Sequence, residues 1–441
     1  MCWITNEEEN AMDNYSAMLA RISKPGAMER FARLYGRREG ELARQLTRYT
    51  QLVKAHEELF HASDAPLYLI SAPGRTEIIG NHTDHNNGRV LAAAVNLDCV
   101  ACVSPRQDSQ VRVHSQGYPS IALSVDDLDM RPEEEGTSAA LIRGVARGMQ
   151  DRGFRLGGFD AVMTSDVMGG SGLSSSAAYE VLVCAIFDAL YNGFTMESTP
   201  RAQIAQYAEN VYFGKPSGLM DQMACSTGGL VTIDFKAEPE VTPLSYSFND
   251  AGYSLVVVNT GGNHDNLTAE YAAVRREMEE VAGFFGEKVL RQVRNEQFWQ
   301  HIGPLREKYG ERAVLRAMHF FGENRRVRQM VSAVREKDLP AMLANLIESG
   351  ESSWMLLQNL YPAGIHQPLA LALAMASVML KGKGAWRVHG GGFAGTTLNI
   401  VPNDMIDRFV QQMKAVFGDK ACFVLDVRPE GAAVVFAPEE A

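Results

Sequence analysis

Apolar and polar positions follow two different patterns along this chain. Between residues 12 and 62, apolar side chains such as Leu42, Leu46 and Tyr49 recur at helical spacing among many Arg, Glu and Gln residues, which predicts amphipathic helices. From Pro66 onward, short β-branched and apolar runs alternate with Gly, Asn and Asp, which predicts strands and turns. The chain therefore begins with a helical segment that precedes a strand-rich region.

The strand-rich region contains helices in no regular alternation with the strands. Strands are predicted at residues 67–70, 90–103, 111–114, 158–164, 229–235, 253–259, 396–401 and 431–436, and helices at 138–151, 177–191, 201–213 and in several segments up to residue 380. This mixture favours an α+β fold with mixed sheets over a doubly wound parallel sheet. A polar segment at 238–252 is the candidate boundary. The predicted division is a helical extension (1–62), a first domain (63–245) and a second domain (246–441).

Charge and cysteine content restrict the possible partners and location. The 441 residues include 42 Lys or Arg and 53 Asp or Glu, a net charge of −11, which argues against nucleic acid or an anionic membrane as a partner. The few cysteines lie mostly in apolar stretches, which indicates reduced thiols and a cytoplasmic protein. Cys99 and Cys102 have CxxC spacing, but no second Cys or His pair completes a zinc site.

A loop rich in glycine and serine is the strongest local signal for chemistry. Residues 169–177 read GGSGLSSSA, and they stand between a predicted strand and a long apolar helix. Glycines allow close approach of an anion, and the free N–H groups at a helix start attract it. This loop predicts a phosphate-binding site, although no Lys follows as in a Walker A motif. The alternative is a turn in which serine only caps the helix.

Three further segments carry polar side chains in turn-rich surroundings. Residues 74–88 read GRTEIIGNHTDHNNG and offer short polar groups suited to hydrogen bonds with a sugar, whereas a metal site is disfavoured by the mixed ligand types and their spacing. Asp221 lies in GLMDQ at 218–222, where it is either a functional carboxylate or a helix cap. Residues 390–395 read GGGFAG, which alone indicates only a tight turn.

Taken together, the four segments resemble the motifs of the GHMP small-molecule kinases, and most closely those of the galactokinase family. The segment 74–88 is similar to the family signature GRVNLIGEHTDYNxG, and 169–177 to the phosphate loop GxGLSSSA. Residues 218–222, 390–395 and 270–276 resemble CGIMDQ, GGGFGG and the EYxxRR segment, in the family's order. The resemblance extends from about Pro66 to Pro438. It implies a two-lobed fold with the active site in the cleft between the lobes.

The resemblance also implies an activity. A family member transfers the γ-phosphoryl group of ATP, with Mg²⁺, to the anomeric hydroxyl of galactose and releases galactose 1-phosphate and ADP. Asp221 and Arg75 match the catalytic pair, and Ser175 and Glu209 are the expected Mg²⁺ ligands. The expected sugar contacts are Asn81, His82, Asp84, Gly218 and Tyr271. The expected nucleotide contacts are Gly170, Gly172, Leu173, Ser174, Ser175, Ser176 and Ala177.

Two positions of the sugar segment depart from the family signature. Asn81 and His85 stand where the family has Glu and Tyr, which affects the expected selectivity at the sugar's C6. One alternative is therefore a kinase for a galactose modified at C6, such as galacturonic acid. Another is a silent relative that binds ATP and galactose to regulate transcription, but the retained Asp221 and the intact serine loop argue against it.

Overall fold

The structure, a computed structural model, describes residues 13–167, 172–236, 238–261, 268–360, 365–393 and 395–438. The helices are α1 (Asn14–Ile22), α2 (Pro25–Tyr35), α3 (Glu41–Phe60), α4 (Ser138–Gln150), α5 (Ser175–Tyr191), α6 (Ser198–Tyr207), α7 (Met220–Thr227), α8 (Thr268–Phe284), α9 (Asn295–Gln300), α10 (Ile302–Glu336), α11 (Leu339–Ser352), α12 (Pro368–Leu380) and α13 (Ile406–Phe417). None of these helices is both long and apolar enough to cross a lipid bilayer.

The strands form two sheets. They are β1 (Tyr68–Ile79), β2 (Arg89–Pro105), β3 (Gln110–Ser115), β4 (Ile121–Ser124), β5 (Phe159–Ser165), β6 (Leu230–Asp234), β7 (Glu240–Leu244), β8 (Tyr253–Asn259), β9 (Ala385–His389), β10 (Thr396–Pro402), β11 (Cys422–Leu425) and β12 (Ala433–Phe436). The larger sheet has the order β12-β1-β2-β5-β3-β4, with β6 paired to β2 and β7 to β6. The smaller sheet has the order β11-β8-β10-β9. Only β3 and β5 pair in parallel among these neighbours.

The amino-terminal segment is helical, as its apolar spacing predicts. Asp13 caps α1 by accepting a hydrogen bond from the backbone N–H of Ser16 at 2.8 Å. The apolar sides of α1, α2 and α3 pack on one face of the larger sheet, where the rings of Phe31 and Tyr49 meet that of Phe436 in β12. Burial of this stripe, rather than helix propensity alone, holds short helices in place.

The paired strands β1 and β2 form the centre of the larger sheet. Sequence pattern predicts a turn-rich stretch after residue 70, but β1 continues to Ile79 and is interrupted only by register shifts near Pro73 and Glu77. Pairing with β2 and burial therefore outweigh the turn preference of Pro73 and Gly74. As a consequence Arg75 lies on a strand and not in a turn.

The second half of the chain contributes to both sheets. β7 lies within the polar segment that was expected to be a boundary, where it pairs with β6 at the edge of the larger sheet. β12 also pairs with β1 of that sheet. The proposed division at residue 245 stays a prediction.

Polar contacts join the two sheets beside the end of β1. Arg387 of β9 donates to Glu77 at 2.8 Å and to the carbonyl of Ile78 at 2.7 Å. His389 contacts the hydroxyl of Thr76 at 3.0 Å. Glu323 of α10 accepts from the N–H of Gly80 at 3.0 Å. These buried contacts hold the polar turn after β1 against the carboxyl-terminal half.

Candidate active site

The turn after β1 borders an open cavity of about 600 Å³. Its lining includes Arg75 and all five residues expected to contact a sugar, namely Asn81, His82, Asp84, Gly218 and Tyr271. A larger cavity of about 900 Å³ lies elsewhere, beside Tyr246 and Asp426, and contains none of the expected site residues. The smaller cavity is therefore the candidate active site.

Arg75 and Asp221 form a bidentate ion pair at this cavity. The Arg75 Nε donates to one carboxylate oxygen of Asp221 at 2.7 Å, and an Nη donates to the other at 2.6 Å. Asp221 lies in the first turn of α7, where a negative charge is favoured by the helix dipole. The hydroxyl of Ser174 also donates to Asp221. These contacts bring the predicted catalytic pair together.

Opposing influences set the protonation of Asp221. Burial acts to raise the pKa of its carboxyl, but the Arg75 charge, the hydrogen bonds from Arg75 and the one from Ser174 outweigh burial, so the pKa is lowered. Asp221 is therefore ionised at neutral pH. A low pKa also makes it a weak base, which suits orientation of a hydroxyl better than early removal of its proton.

Residues 172–174 of the glycine and serine loop lie directly beside this pair. The Arg75 backbone N–H donates to the carbonyl of Leu173 at 3.1 Å, and its guanidinium donates to the carbonyl of Gly172. Ser174, Ser175 and Ser176 stand at the start of α5, so the helix amino terminus faces the same region. Leu173 and Ala177 are buried, so their side chains belong to the core. Gly170 lies outside the described residues.

Glu209 carries the second carboxylate near the loop. It lies in a π-helical turn, Ala208–Tyr212, and is almost fully buried. It accepts hydrogen bonds from Ser176 at 2.8 Å and from Ser217 at 2.6 Å, and it pairs with Lys215 at 2.8 Å. The serine that meets Glu209 is thus Ser176, whereas sequence reasoning selected its neighbour Ser175.

The donor set beside Glu209 fits a small hard cation. Carboxylate and hydroxyl oxygens are the ligands that Mg²⁺ prefers, and a positive charge, the ammonium of Lys215, already sits on this carboxylate. Within the described ranges no cluster of three or more His, Cys, Asp or Glu side chains is arranged as a metal site. A cation here would therefore depend on few protein ligands and on the phosphates of a nucleotide.

A buried amide links this carboxylate to a second one. Gln222 follows Asp221, and its Nε2 donates to Glu209 at 2.7 Å and to Glu180 at 3.1 Å. Burial first and the charge of Glu209 second raise the pKa of Glu180 well above its ordinary value. Burial and the neighbouring Glu209 carboxylate thus both favour the protonated form of Glu180.

The three glycines Gly390, Gly391 and Gly392, here called the glycine run, close one side of the cavity. Asn81 donates through Nδ2 to the carbonyl of Gly390, His82 contacts the carbonyl of Gly391 at 2.9 Å, and Tyr271 donates to that of Gly392 at 2.7 Å. A Cβ on Gly391 would lie 2.6 Å from the Tyr271 ring. Sequence pattern indicated only a turn here, but the run holds three expected sugar contacts.

Asp84 and Gly218 meet on the opposite side of the turn. A Cβ on Gly218 would lie 2.5 Å from the Asp84 carboxylate, so only glycine allows this approach. Burial is the main cause that raises the pKa of Asp84, the nearby charge of His82 acts against it, and that of Asp221 adds to it. Asp84 thus lies close enough to Asp221 to interact with its charge.

His85 is electrically neutral in this site. Burial lowers its pKa to about 3, with smaller contributions from His82 and Arg275. The Oδ1 of Asn86 accepts from the N–H of Leu290 at 2.9 Å, which orients the amide so that its Nδ2 donates to the His85 Nδ1 at 2.9 Å. His85 consequently offers no positive charge to a substrate.

Several supporting residues were not predicted from sequence. Glu77, Glu323, Asn359, Arg387 and His389 hold the turn after β1 from distant parts of the chain. Only Glu77 and His389 lie within or beside a recognised motif. The others carry no local signal, because their function depends on contacts that only the fold creates.

Two family models and several curated proteins match this chain. Residues 54–105 match the model of the galactokinase galactose-binding signature, and residues 140–229 match that of the GHMP kinases N terminal domain. The chain is 33% identical to the galactokinase of Actinobacillus pleuropneumoniae over 79% of this chain and 88% of that protein. It is 32% identical to the galactokinase of Bos taurus over 84% of this chain and 93% of that protein.

Solved structures share the fold. The Lactococcus lactis galactokinase complexed with galactose superposes with a TM-score of 0.75 at 22% identity, covering 88% of this chain and 99% of that one. The Methanococcus jannaschii mevalonate kinase gives a TM-score of 0.59 at 13% identity, covering 81% and 98%. The fold is thus the predicted α+β arrangement of GHMP kinases. The extent and level of identity to the curated relatives show that the chain belongs to the galactokinase family of sugar kinases.

Proposed function

We propose that this chain transfers the γ-phosphoryl group of ATP to the anomeric hydroxyl of galactose and releases galactose 1-phosphate. The observation that carries the proposal is the bidentate Arg75–Asp221 pair, in which Arg75 lines the candidate cavity and Asp221 contacts Ser174 at the amino terminus of α5. An ionised acceptor for a hydroxyl and an anion-binding helix start are the two parts that such a transfer needs.

In this proposal Asp221 orients the sugar hydroxyl and receives its proton. Its lowered pKa means that the proton is taken up only as the new O–P bond forms and the hydroxyl becomes acidic. Arg75 keeps the carboxylate ionised and fixed in place. Positioning and charge neutralisation, rather than base strength, supply most of the rate.

The phosphate groups would lie against the start of α5. Backbone N–H groups of Ser174, Ser175 and Ser176, together with Gly172, would face the phosphates. Ser176 and Glu209 would hold Mg²⁺, which neutralises phosphate charge when it is bound. The contact of Ser176 with Glu209 supports Ser176 over Ser175 as the hydroxyl ligand.

The sugar would lie between the turn after β1 and the glycine run. His82, Asp84, Gly218 and Tyr271 line the cavity and are the proposed contacts. The alternative substrate, galacturonic acid, is not favoured, because His85 is neutral and the Asn81 amide already has protein partners.

The buried free cysteines, Cys99 and Cys102 among them, fit the proposed cytoplasmic location.

A panel of free sugars tests the proposal. Galactose, glucose, 6-deoxygalactose, galacturonate and mevalonate as a non-sugar control would each be incubated with ATP and Mg²⁺, and the products scored by ³¹P NMR for a sugar 1-phosphate. We expect galactose to give the highest kcat/KM. Turnover of galacturonate above galactose, or phosphorylation at another hydroxyl, would contradict the proposal.

A further inference from the structure

Asn81 replaces the glutamate of the family signature, and its side chain is fully engaged by the protein. The residue is buried with no exposed surface. Its Nδ2 donates to the carbonyl of Gly390 and lies 3.4 Å from the Glu77 carboxylate. Its Oδ1 accepts from the Nδ2 of Asn359 at 2.8 Å and from the hydroxyl of Ser353 at 3.4 Å. Neither amide atom is left for a sugar hydroxyl without breaking one of these contacts.

The backbone of Asn81 is held as firmly. His319 contacts the Asn81 carbonyl at 2.9 Å through Nε2, and its Nδ1 meets the Ser352 hydroxyl at 2.9 Å. Burial lowers the pKa of His319 to about 4, so this buried imidazole is neutral near pH 7. The turn after β1 is therefore attached to α10 and α11 as well as to the glycine run.

Asn359 extends the same set of contacts to the glycine run. Its Nδ2 also donates to the carbonyl of Gly391 at 3.1 Å, and its backbone carbonyl accepts from the N–H of Phe393. A Cβ on Gly392 would collide with that carbonyl. Asn81 and Asn359 thus fix the position of the glycine run by its first two carbonyls.

The glycine run also contacts two of the residues proposed to bind the sugar. His82 meets the carbonyl of Gly391 and Tyr271 that of Gly392, and the two rings stack with centroids 6.4 Å apart. A displacement of the glycine run would therefore move both rings. A glutamate side chain at residue 81 has no N–H to donate to Gly390, whereas an asparagine side chain has two.

We infer that Asn81 is a positioning residue for the sugar site: with Asn359 it fastens the glycine run and so places His82 and Tyr271, and it contacts no sugar hydroxyl itself. The inference rests on the proposed function, since it concerns the same sugar. It differs from the role that the resemblance implies for residue 81, in which the side chain accepts a hydrogen bond from the C6 hydroxyl.

The test compares two sugars and two isosteric variants. Asn81→Asp keeps the oxygen that faces Asn359 but loses the N–H that holds Gly390, and Asn359→Asp loses both of its donors. We expect each variant to raise KM by about tenfold for galactose and by the same factor for 6-deoxygalactose, because one or two hydrogen bonds are lost. The ratio of kcat/KM between the two sugars should stay within about twofold of wild type, while KM for ATP does not change.

Three outcomes would overturn the inference. The first is a loss of the preference in kcat/KM for galactose over 6-deoxygalactose in Asn81→Asp, which would mean that Asn81 contacts the C6 hydroxyl. The second is a wild-type KM in both variants. The third is a double variant, Asn81→Asp with Asn359→Asp, in which the two effects on KM simply multiply. If Asn81→Asp fails to fold, Asn359→Asp and Asn359→Ser carry the same comparison. Calorimetry without ATP gives the ratio of affinities for the two sugars independently of turnover. An enzyme that binds galactose but does not phosphorylate it would contradict the proposed function, and the affinities would still test this inference.

Discussion

Arg75 determines the charge of Asp221, because burial alone would favour the neutral acid. The guanidinium lowers the pKa of the carboxyl, and removing it leaves burial as the main influence, which raises the pKa. As the pH is lowered, Asp221 should therefore become protonated at a higher pH in Arg75→Gln than in wild type. We expect the acid limb of the kcat profile to move to higher pH, in addition to a loss of turnover.

The control for this prediction is Arg306→Gln, which removes an arginine from an exposed ion pair with Glu311. Its acid limb should coincide with that of the wild type. An unmoved limb in Arg75→Gln would mean that the activity does not depend on the ionisation of Asp221.

Ser175 and Ser176 differ by one position but face different surroundings. Because Ser176 donates to Glu209, Ser176→Ala should raise the Mg²⁺ concentration at half-maximal activity more than Ser175→Ala. Glu209→Gln keeps the shape of the side chain and removes its charge, so it should raise that concentration further. The matched control is Glu240→Gln, at an exposed glutamate paired with Lys236.

A second readout separates cation binding from catalysis. Mg²⁺ titrations of the melting temperature with ADP present should show the same order of midpoints. A larger effect of Ser175→Ala than of Ser176→Ala in both titrations would restore Ser175 as the ligand.

At the scale of elements, the glycine run connects the sugar cavity to α8. The space at Gly391 is limited by the ring of Tyr271, which a Cβ would approach to 2.6 Å. In Gly391→Ala we expect the ring to shift and the KM for galactose to rise, with a smaller change in melting temperature. Gly303→Ala in α10 is the control, since a Cβ there meets nothing within 4 Å. Equal KM values in the two variants would contradict the role of the run.

The amino-terminal helices are attached to the larger sheet by a buried carboxylate. Asp98 of β2 accepts from Arg48 of α3 at 2.7 Å, from Tyr35 of α2 at 2.7 Å and from Arg428 at 2.9 Å. Burial acts to raise its pKa, but the two arginines and the hydrogen bonds outweigh burial, so the pKa is lowered. Its stabilising effect is thus present above the ordinary Asp pKa and is lost as the pH falls through the lowered value.

Asp98→Asn should lower the free energy of unfolding by about 3 to 5 kcal/mol, because two buried arginines lose their shared counter-charge. Urea unfolding at pH 7 measures this change, and the difference from wild type should shrink towards the acid range. Asp108→Asn, which changes an exposed carboxylate paired with Arg106, is the control and should change stability little. A loss no greater than in this control would show that Asp98 does not hold the helices on the sheet.

Across the whole molecule, the sequence pattern predicted best those features that depend on residues close together in the chain. The helices before residue 62, strands such as β8 and the helices α4 and α5 follow from apolar spacing. The motifs selected Arg75, Asp221 and Glu209, which the fold places around the start of α5. The continuation of β1 beyond residue 70 and the edge strand β7 were missed, because pairing with neighbouring strands overrides turn residues and polar composition.

The supporting contacts of the site could not be predicted because they join distant segments. Glu323 lies 243 residues from Gly80, and Arg387 lies 310 residues from Glu77. The engagement of Asn81 by Asn359 spans 278 residues. No periodicity or local motif indicates such pairs. The sequence therefore predicted Asn81 as a sugar contact, whereas in the structure its side chain is hydrogen-bonded to other parts of the protein.

The central claim is that the ionised Asp221, held by Arg75, orients the anomeric hydroxyl of galactose and accepts its proton during phosphoryl transfer. Asp221→Asn tests it most directly, since the amide keeps the size of the side chain and removes the anionic acceptor. We predict that kcat for galactose falls by about 10²- to 10⁴-fold, while calorimetry shows galactose and ATP affinities within a few fold of wild type. A purified, folded Asp221→Asn enzyme that retains wild-type kcat would contradict the account.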